Sequence, residues 1–278
     1  MSDNPTRYSD ADFFMCWNKS FRVSYDINPW MTNNIGNVDV DKASHQWSNL
    51  ESILHNLGAK VDILLIDDAL IPDIVFTANA AIIHKNIVRI ANFKHSQRQP
   101  ETAIYEKWFK DNTPYNVYTL LTNFEGAGDA LKDSMGNLWC GYGFRTSIEA
   151  SVLLSESYRD ILNIIPLQLI NPNFYHLDTC FCPLESGYLL YYPGAFNDAM
   201  INRIKHVYTG DTIIEVSEDD AMNFSCNAVE WKNNIIMNKC SPKLNYDLER
   251  IGYNVIETDL SEFMKAGGSA KCLTLRLK

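Results

Sequence analysis

The sequence predicts an α/β protein forming one domain over residues 1–278, a five-fold pseudosymmetric α/β propeller. Three observations lead there. Strand–turn–strand stretches recur along the chain, helix–glycine–strand segments lie between them, and the recurrence has a regular step. Taking Phe76, Phe124, His176, Cys226 and Cys272 as one landmark per unit, the steps are 48, 52, 50 and 46 residues. A period near fifty over most of a chain is the mark of repeated supersecondary units. Units of strands and a helix placed around an axis close without a long free edge, and bring one end of every unit to a common centre.

The hairpin stretches are 73–90, 124–143, 175–193 and 225–240. In each, an apolar-rich run meets a short polar turn: His84-Lys85-Asn86, Ser134-Met135-Gly136-Asn137, Glu185-Ser186-Gly187 and Lys232-Asn233-Asn234. A second apolar run then returns, as hairpins require. The last stretch, GGSAKCLTLRL (267–277), supplies the fifth unit. Between them, residues 41–57 carry Trp47, Leu50, Ile53, Leu54 and Leu57 at helical spacings of three and four. Gly58 is the expected cap at that helix end, and AKVDILLI after it reads as a buried strand. Residues 100–112 open with proline in the first turn of a second helix. SEDDAMNFSCNAV holds a helical turn before its strand, and LNYDLERIGYNVIETDL repeats the helix–glycine–strand order. No Gly/Ser/Pro-rich linker divides the chain.

Composition excludes several function classes. The net charge is −10, with no basic stripe to follow a phosphate backbone, so nucleic acid is not expected as a partner. No uncharged apolar run approaches the ~18–20 residues of a membrane span. The polar start, MSDNPTRYSD, has no apolar core of an export signal. The seven cysteines are odd in number and scattered, without a CxxC pair, and read as reduced thiols of a cytoplasmic protein. No metal-ligand spacing and no phosphate-cradling loop appears, so neither a metal nor an organic cofactor is expected.

The candidate chemistry comes from different units. A single cysteine reads first as a small buried hydrophobe. Cys272 differs in following Gly267-Gly268, which permit unusual backbone angles and close approach. Lys271 beside it is expected on the opposite strand face. His176 is the one histidine embedded in an apolar strand, with Asp178 two residues on, placed to orient the imidazole or hold a cation. Glu125 and Asp129 sit among glycines in FEGAGDAL, and Asp73 and Asn79 flank Phe76 in the first hairpin. If the units are radial, these side chains meet near the centre.

These residues resemble the guanidino-group-modifying enzymes, the amidinotransferase and arginine deiminase superfamily. The resemblance runs from YDINPWM to GGSAKCLTLRL and is closest to the cyanobacterial-type arginine dihydrolases, through PDIVFTANAA. It implies the pentein fold, with Cys272 as nucleophile, His176 as general acid and base, and Glu125 as the carboxylate that holds the guanidinium. EGAGD spaces its acids one residue wider than the EGGD of the superfamily, which leaves Asp129 the weaker match. Asp73, Phe76 and Asn79 match the hairpin that grips substrate, and Arg98 and Arg145 match arginines that meet its amino-acid end. Deiminases and dimethylaminohydrolases place aspartate where Asn79 stands. Aspartate only accepts hydrogen bonds, whereas asparagine also donates, which suits a ureido carbonyl and a second hydrolysis. The resemblance thus implies an arginine dihydrolase giving ornithine, carbon dioxide and two ammonia. The alternatives are a deiminase or dimethylarginine dimethylaminohydrolase stopping at citrulline, an amidinotransferase, or an arginine-binding protein without catalysis. The implied partner is a small guanidino substrate, L-arginine, and a homo-oligomer is compatible with the reading.

Overall fold

Five three-stranded sheets, each with the same internal order, organise the chain. The structure is a computed structural model that describes residues 8–159 and 161–278; the start of the segment read for an export signal lies outside them. The first sheet holds β1 (Phe13–Asn18) and β2 (Val61–Ile66), parallel and joined through α1 (Val40–Asn56). Next come β3 (Ala81–His84), β4 (Ile87–Ile90), α2 (Gln99–Asn112) and β5 (Asn116–Thr119). The third unit is α3 (Gly126–Asp129), β6 (Ala130–Lys132), β7 (Asn137–Tyr142), α4 (Ile148–Ser157) and β8 (Asn163–Gln168). The fourth is β9 (Phe181–Pro183), β10 (Leu189–Tyr191), α5 (Asp198–Val207) and β11 (Ile213–Glu215). The fifth is α6 (Glu218–Met222), β12 (Val229–Trp231), β13 (Asn234–Met237), α7 (Pro242–Arg250) and β14 (Asn254–Glu257). After α8 (Ser261–Met264), the chain ends in β15 (Leu275–Arg276).

In every unit the first two strands pair antiparallel, and the third returns through a helix to lie parallel to the middle one. The first sheet obtains its antiparallel strand from the far end of the chain: β15 pairs with β1, Phe13 opposite Arg276 and Phe14 opposite Leu275. The two chain ends therefore meet in one sheet. The strands β3, β6, β9, β12 and β15, one edge of each sheet, line a common cavity of 580 Å³.

Local sequence explains these elements. Asp39 caps α1 by accepting from Lys42 N at 3.0 Å, and Gly58, φ +82°, turns the chain beyond the helix. Ser241 caps α7 with Pro242 behind it, and Gly252, φ +98°, ends that segment. Each hairpin turn carries one left-handed residue: Lys85, Gly136, Gly187 and Lys232. Large apolar side chains fill the spaces between sheets; Trp139 of β7 packs on Phe181 of β9 and on Tyr208 after α5. Among the described residues no helix is long and apolar enough to cross a membrane.

Two expectations fail. The strand read as buried, β2, is a sheet edge whose Ile63 and Leu65 are 41% and 68% exposed, so alternate side chains on one of its faces meet solvent. The runs before the inner strands are short helical turns rather than strands. Residues 72–80 form two 3-10 turns, 126–129 one α-turn, and Leu177–Thr179 another 3-10 turn. DIVFTANAA is apolar-rich like a buried strand, but its backbone hydrogen bonds close locally, Phe76 N to Asp73 O and Asn79 N to Phe76 O.

The meeting of the chain ends predicts an asymmetry in stability. Leu275→Ala, buried against β1, should lower unfolding free energy by roughly 2–5 kcal/mol, whereas Leu65→Ala on the exposed edge should shift it by no more than about 0.5 kcal/mol. Urea midpoints of the two variants measure the difference.

Candidate active site

The side chains singled out in the sequence converge, and they do so from the helical turns ahead of the inner strands. A strand residue must point to one face or the other; a residue in the turn before it is free of that alternation. Asp73 and Asn79 lie in the two turns before β3, with Phe76 between them. Glu125 and Asp129 bound α3 before β6, His176 and Asp178 lie at the turn before β9, and Cys272 lies in the turn before β15. All are at most 4% exposed.

Around the thiol, Cys272 Sγ donates to Asp178 Oδ2 at 3.5 Å and accepts from Asn227 Nδ2 at 3.1 Å. The Asn227 amide oxygen accepts from the backbone N–H of both Ser269 and Cys272, at 3.1 Å each. One asparagine thus fixes the loop and touches the sulfur. Burial, then the Asp178 carboxylate, pushes the Cys272 thiol well above its ordinary value, while the Ser269 and Asn227 donors oppose this. Burial likewise lifts Asp178 to about 7, against the pull of Lys271. Asp178 Oδ1 and Asp73 Oδ1 are buried without a hydrogen-bond partner. Buried carboxylate oxygens of this kind cost free energy unless a cation or donor reaches them.

A second group surrounds the imidazole. His176 Nε2 lies 2.7 Å from Glu125 Oε2, which also accepts from Arg145 at 3.0 Å. Burial alone would raise Glu125, but Arg145 and His176 outweigh it and hold this carboxyl well below the usual range. Asp129 Oδ1 accepts from Leu177 N at 2.9 Å and so fixes the turn that carries His176. The Arg145 guanidinium stacks over the Tyr175 ring and donates to Ile27 O.

A third group sets the Asn79 amide. Arg98 is held by both Glu101 oxygens at 2.8 Å and donates at 2.8 Å to Asn79 Oδ1. This fixes which end of the amide faces the arginine and leaves Nδ2 on the other side, 3.5 Å from Glu125 O. Glycines permit the convergence. A Cβ on Gly128 would stand 2.2 Å from Asn79 Nδ2, and one on Gly268 would stand 2.4 Å from the Phe76 ring and 3.1 Å from Cys272 Cβ.

Comparison with known proteins places this arrangement. The family described as N,N dimethylarginine dimethylhydrolase, eukaryotic, matches residues 28–278. The chain belongs to the dimethylarginine dimethylaminohydrolase family of guanidino-group-modifying enzymes. It is 46% identical over 268 residues to a bifunctional arginine dihydrolase/ornithine cyclodeaminase of Nostoc sp., covering 95% of this chain and 37% of that relative's length. It is 35% identical to the dimethylarginine dimethylaminohydrolase of Mycobacterium tuberculosis over 92% of this chain and 82% of that one. Its structure is similar, with a TM-score of 0.93 and 42% identity over 97% of this chain and 98% of the other, to a substrate-bound cysteine-to-serine variant of the N-terminal domain of an arginine dihydrolase from the ornithine-ammonia cycle in cyanobacteria.

Within this family member, the structure shows which partners these side chains take. Glu125 was expected to grip the guanidinium; here its Oε2 is engaged by His176 and Arg145 and its Oε1 accepts from Lys94 N at 3.3 Å. Its carboxylate thus contacts the imidazole. Asp178 faces the thiol and does not orient His176, because both lie in a turn rather than on one strand face. Arg98 and Arg145 were expected to meet the amino-acid end of a substrate; their donors are engaged by Glu101, Asn79, Glu125 and backbone carbonyls, so in this structure they hold other site residues. The room opened by Gly267 and Gly268 is occupied by Tyr175, Asn28 and Phe76. Two residues escaped the sequence reading. Asn227 sits between the Cys226 landmark and β12 with nothing in its neighbourhood to mark it, and Glu101 looks like an ordinary first-turn helix acid.

The two neighbours of the sulfur act with opposite sign. Asn227→Ala should move the pH profile of Cys272 alkylation by iodoacetamide to higher pH, since a donor to sulfur is lost. Asp178→Asn should move it to lower pH, since the adjacent negative charge is lost. An unshifted profile in both variants would show that these contacts do not govern the thiol.

Proposed function

We propose that the chain is an arginine dihydrolase, converting arginine and two waters to ornithine, carbon dioxide and two ammonia through covalent adducts on Cys272. Five equivalent sheets sharing one central cavity support reading the whole of 1–278 as one guanidino-modifying domain, a closed five-fold α/β propeller. Seven free cysteines suit a cytoplasmic setting. The observation that carries the reaction is the pairing of the Cys272 thiol with the Asp178 carboxylate, beside an asparagine amide whose orientation Arg98 fixes.

A guanidinium is planar, cationic and rich in N–H donors. Asp178 and Asp73 offer it buried acceptor oxygens that lack protein partners. Its charge favours the thiolate, which burial and Asp178 otherwise disfavour. The thiolate attacks the guanidinium carbon, and His176, braced by Glu125, protonates the departing nitrogen, so ammonia leaves and an amidino-thioether remains. Water gives a proton to His176 and adds to the carbon; the C–S bond breaks and citrulline forms. The thiolate then attacks the ureido carbon, a second ammonia leaves, and hydrolysis of the thiocarbamate releases ornithine and carbon dioxide. The Asn79 amide tolerates the ureido stage, because Nδ2 is a donor where a carboxylate would repel the carbonyl oxygen.

The family match and the mycobacterial relative favour a second reading, in which a methylated arginine loses its alkylamine and the reaction stops at citrulline. Product counting separates the two. Arginine should yield about two ammonia per ornithine, as the overall balance requires. One ammonia per citrulline, or dimethylamine from dimethylarginine with arginine inert, overturns the dihydrolase. Asn79→Asp should shift the products toward citrulline, measured by chromatography of the amino acids; an unchanged ornithine yield would remove Asn79 from the account.

A further inference from the structure

Apart from the site just described, a cavity of 580 Å³ is lined by the inner strand of every sheet. At about 30 Å³ per water it has room for a polyatomic ion and its hydration. Asp178, beside the nucleophile, reaches its wall, and nothing in the reaction uses the rest of it.

Its electrostatics are unusual for a chain of net charge −10. Lys132, Lys271 and Arg276 all line it. Arg276 pairs with Glu185 at 2.5 Å. Among the described residues, neither the Lys132 nor the Lys271 ammonium has a hydrogen-bond or ion-pair partner. Two of the remaining wall acids are already served: Asp133 accepts from Asn137 and from the Trp139 indole, and Glu230 from Tyr253 and Glu185 N. Asp178 accepts from Cys272 through one oxygen and attracts Lys271 without a direct ion pair. Partial enclosure, then repulsion from Arg276 and Lys271, presses the Lys132 pKa down, and burial lowers that of Lys271 against the pull of Asp178. Lys132 is exposed and Lys271 half-buried, so each keeps part of its hydration, and an anion in the cavity would add a charge-assisted contact to each.

We propose that the central cavity is a second ligand site, taking a small inorganic oxyanion of the bicarbonate or phosphate class between Lys132 and Lys271. Such an ion supplies acceptor oxygens on several sides, which two ammoniums from different parts of the chain, Lys132 on β6 and Lys271 in the turn before β15, require and which no single side chain here provides. The inference concerns binding and stands apart from the reaction assigned above.

Calorimetric titration of the full chain with sodium bicarbonate and, separately, sodium phosphate at constant ionic strength tests it. At least one should bind saturably at one per chain, and which of them does so identifies the source. Lys132→Gln and Lys271→Gln should each weaken that binding by roughly tenfold or more, the loss of one charge-assisted contact. Exposed Lys205→Gln should leave it unchanged. Lys132→Gln should retain turnover at Cys272. A measurement on the unaltered protein guards against variants that fail to fold: the bound oxyanion should protect Lys132 and Lys271, but not Lys205, from amine acylation followed by mass spectrometry. Absence of saturable binding by either ion overturns the proposal. So does binding that ignores both substitutions, or acylation of the two cavity lysines unaffected by the ion.

Discussion

One carboxylate oxygen, Glu125 Oε2, is held at the same time by Arg145 and His176 in a space closed to solvent. A buried charge of this kind is tolerated only with its partners in place, and removing one leaves the other uncompensated. Much of the site follows from that pairing. It fixes the imidazole, it ties Arg145 to the segment at Ile27, and it places the arginine over Tyr175, whose hydroxyl reaches Gly267 O in the loop before Cys272. The glutamate thereby links the histidine turn, the Ile27 segment and the approach to Cys272. Its depressed pKa is the signature of a group committed to a structural partner, whereas Asp178, lifted by burial, is a group still short of one.

The fold makes such a cluster affordable by repeating one device. Each unit interposes a short helical turn before its inner strand, and the five turns converge at one end of the cavity-lining strands. No unit holds the reactive set by itself. The first strand pair of the chain is completed by its last strand, so Cys272 reaches the site through the pairing of Phe13 with Arg276 and Phe14 with Leu275. The position of Cys272 and the closure of the first sheet by β15 are one structural fact.

Much of this was legible in the sequence, and the limits are physical. Helix caps and left-handed turn residues are local, so Gly58, Gly252 and the turn before Asn137 could be read directly, and the fifty-residue step exposed the repeat. The turns at 72–80 and 126–129 were read as strand because a short apolar-rich run does not separate a strand from a buried helical turn. Partner identity was the hardest to read. Glu125 and Asp178 are both acids near a histidine or cysteine, and only their three-dimensional neighbours decide that the first braces the imidazole while the second faces the sulfur. Asn227 carries no charge and no motif; its role comes from an amide that meets two backbone N–H groups and a thiol at once.

The same reasoning gives Asn79 its meaning. An isolated asparagine could present either end of its amide, and a choice between donor and acceptor would have no consequence. Here Glu101 holds Arg98 bidentately, and Arg98 takes the Asn79 oxygen. A helix acid remote in role thus dictates which end of the amide remains, and that end is a donor. An aspartate at this position would pair with Arg98 equally well and leave an acceptor in its place. The difference would hardly alter the fold, because shape and pairing are preserved. Its effect falls on the stage at which a guanidinium nitrogen has become a carbonyl oxygen, where a donor and an acceptor differ in sign. On the proposed reading, the number of hydrolyses per substrate therefore depends on a buried hydrogen-bond chain running from α2 to the loop before β3.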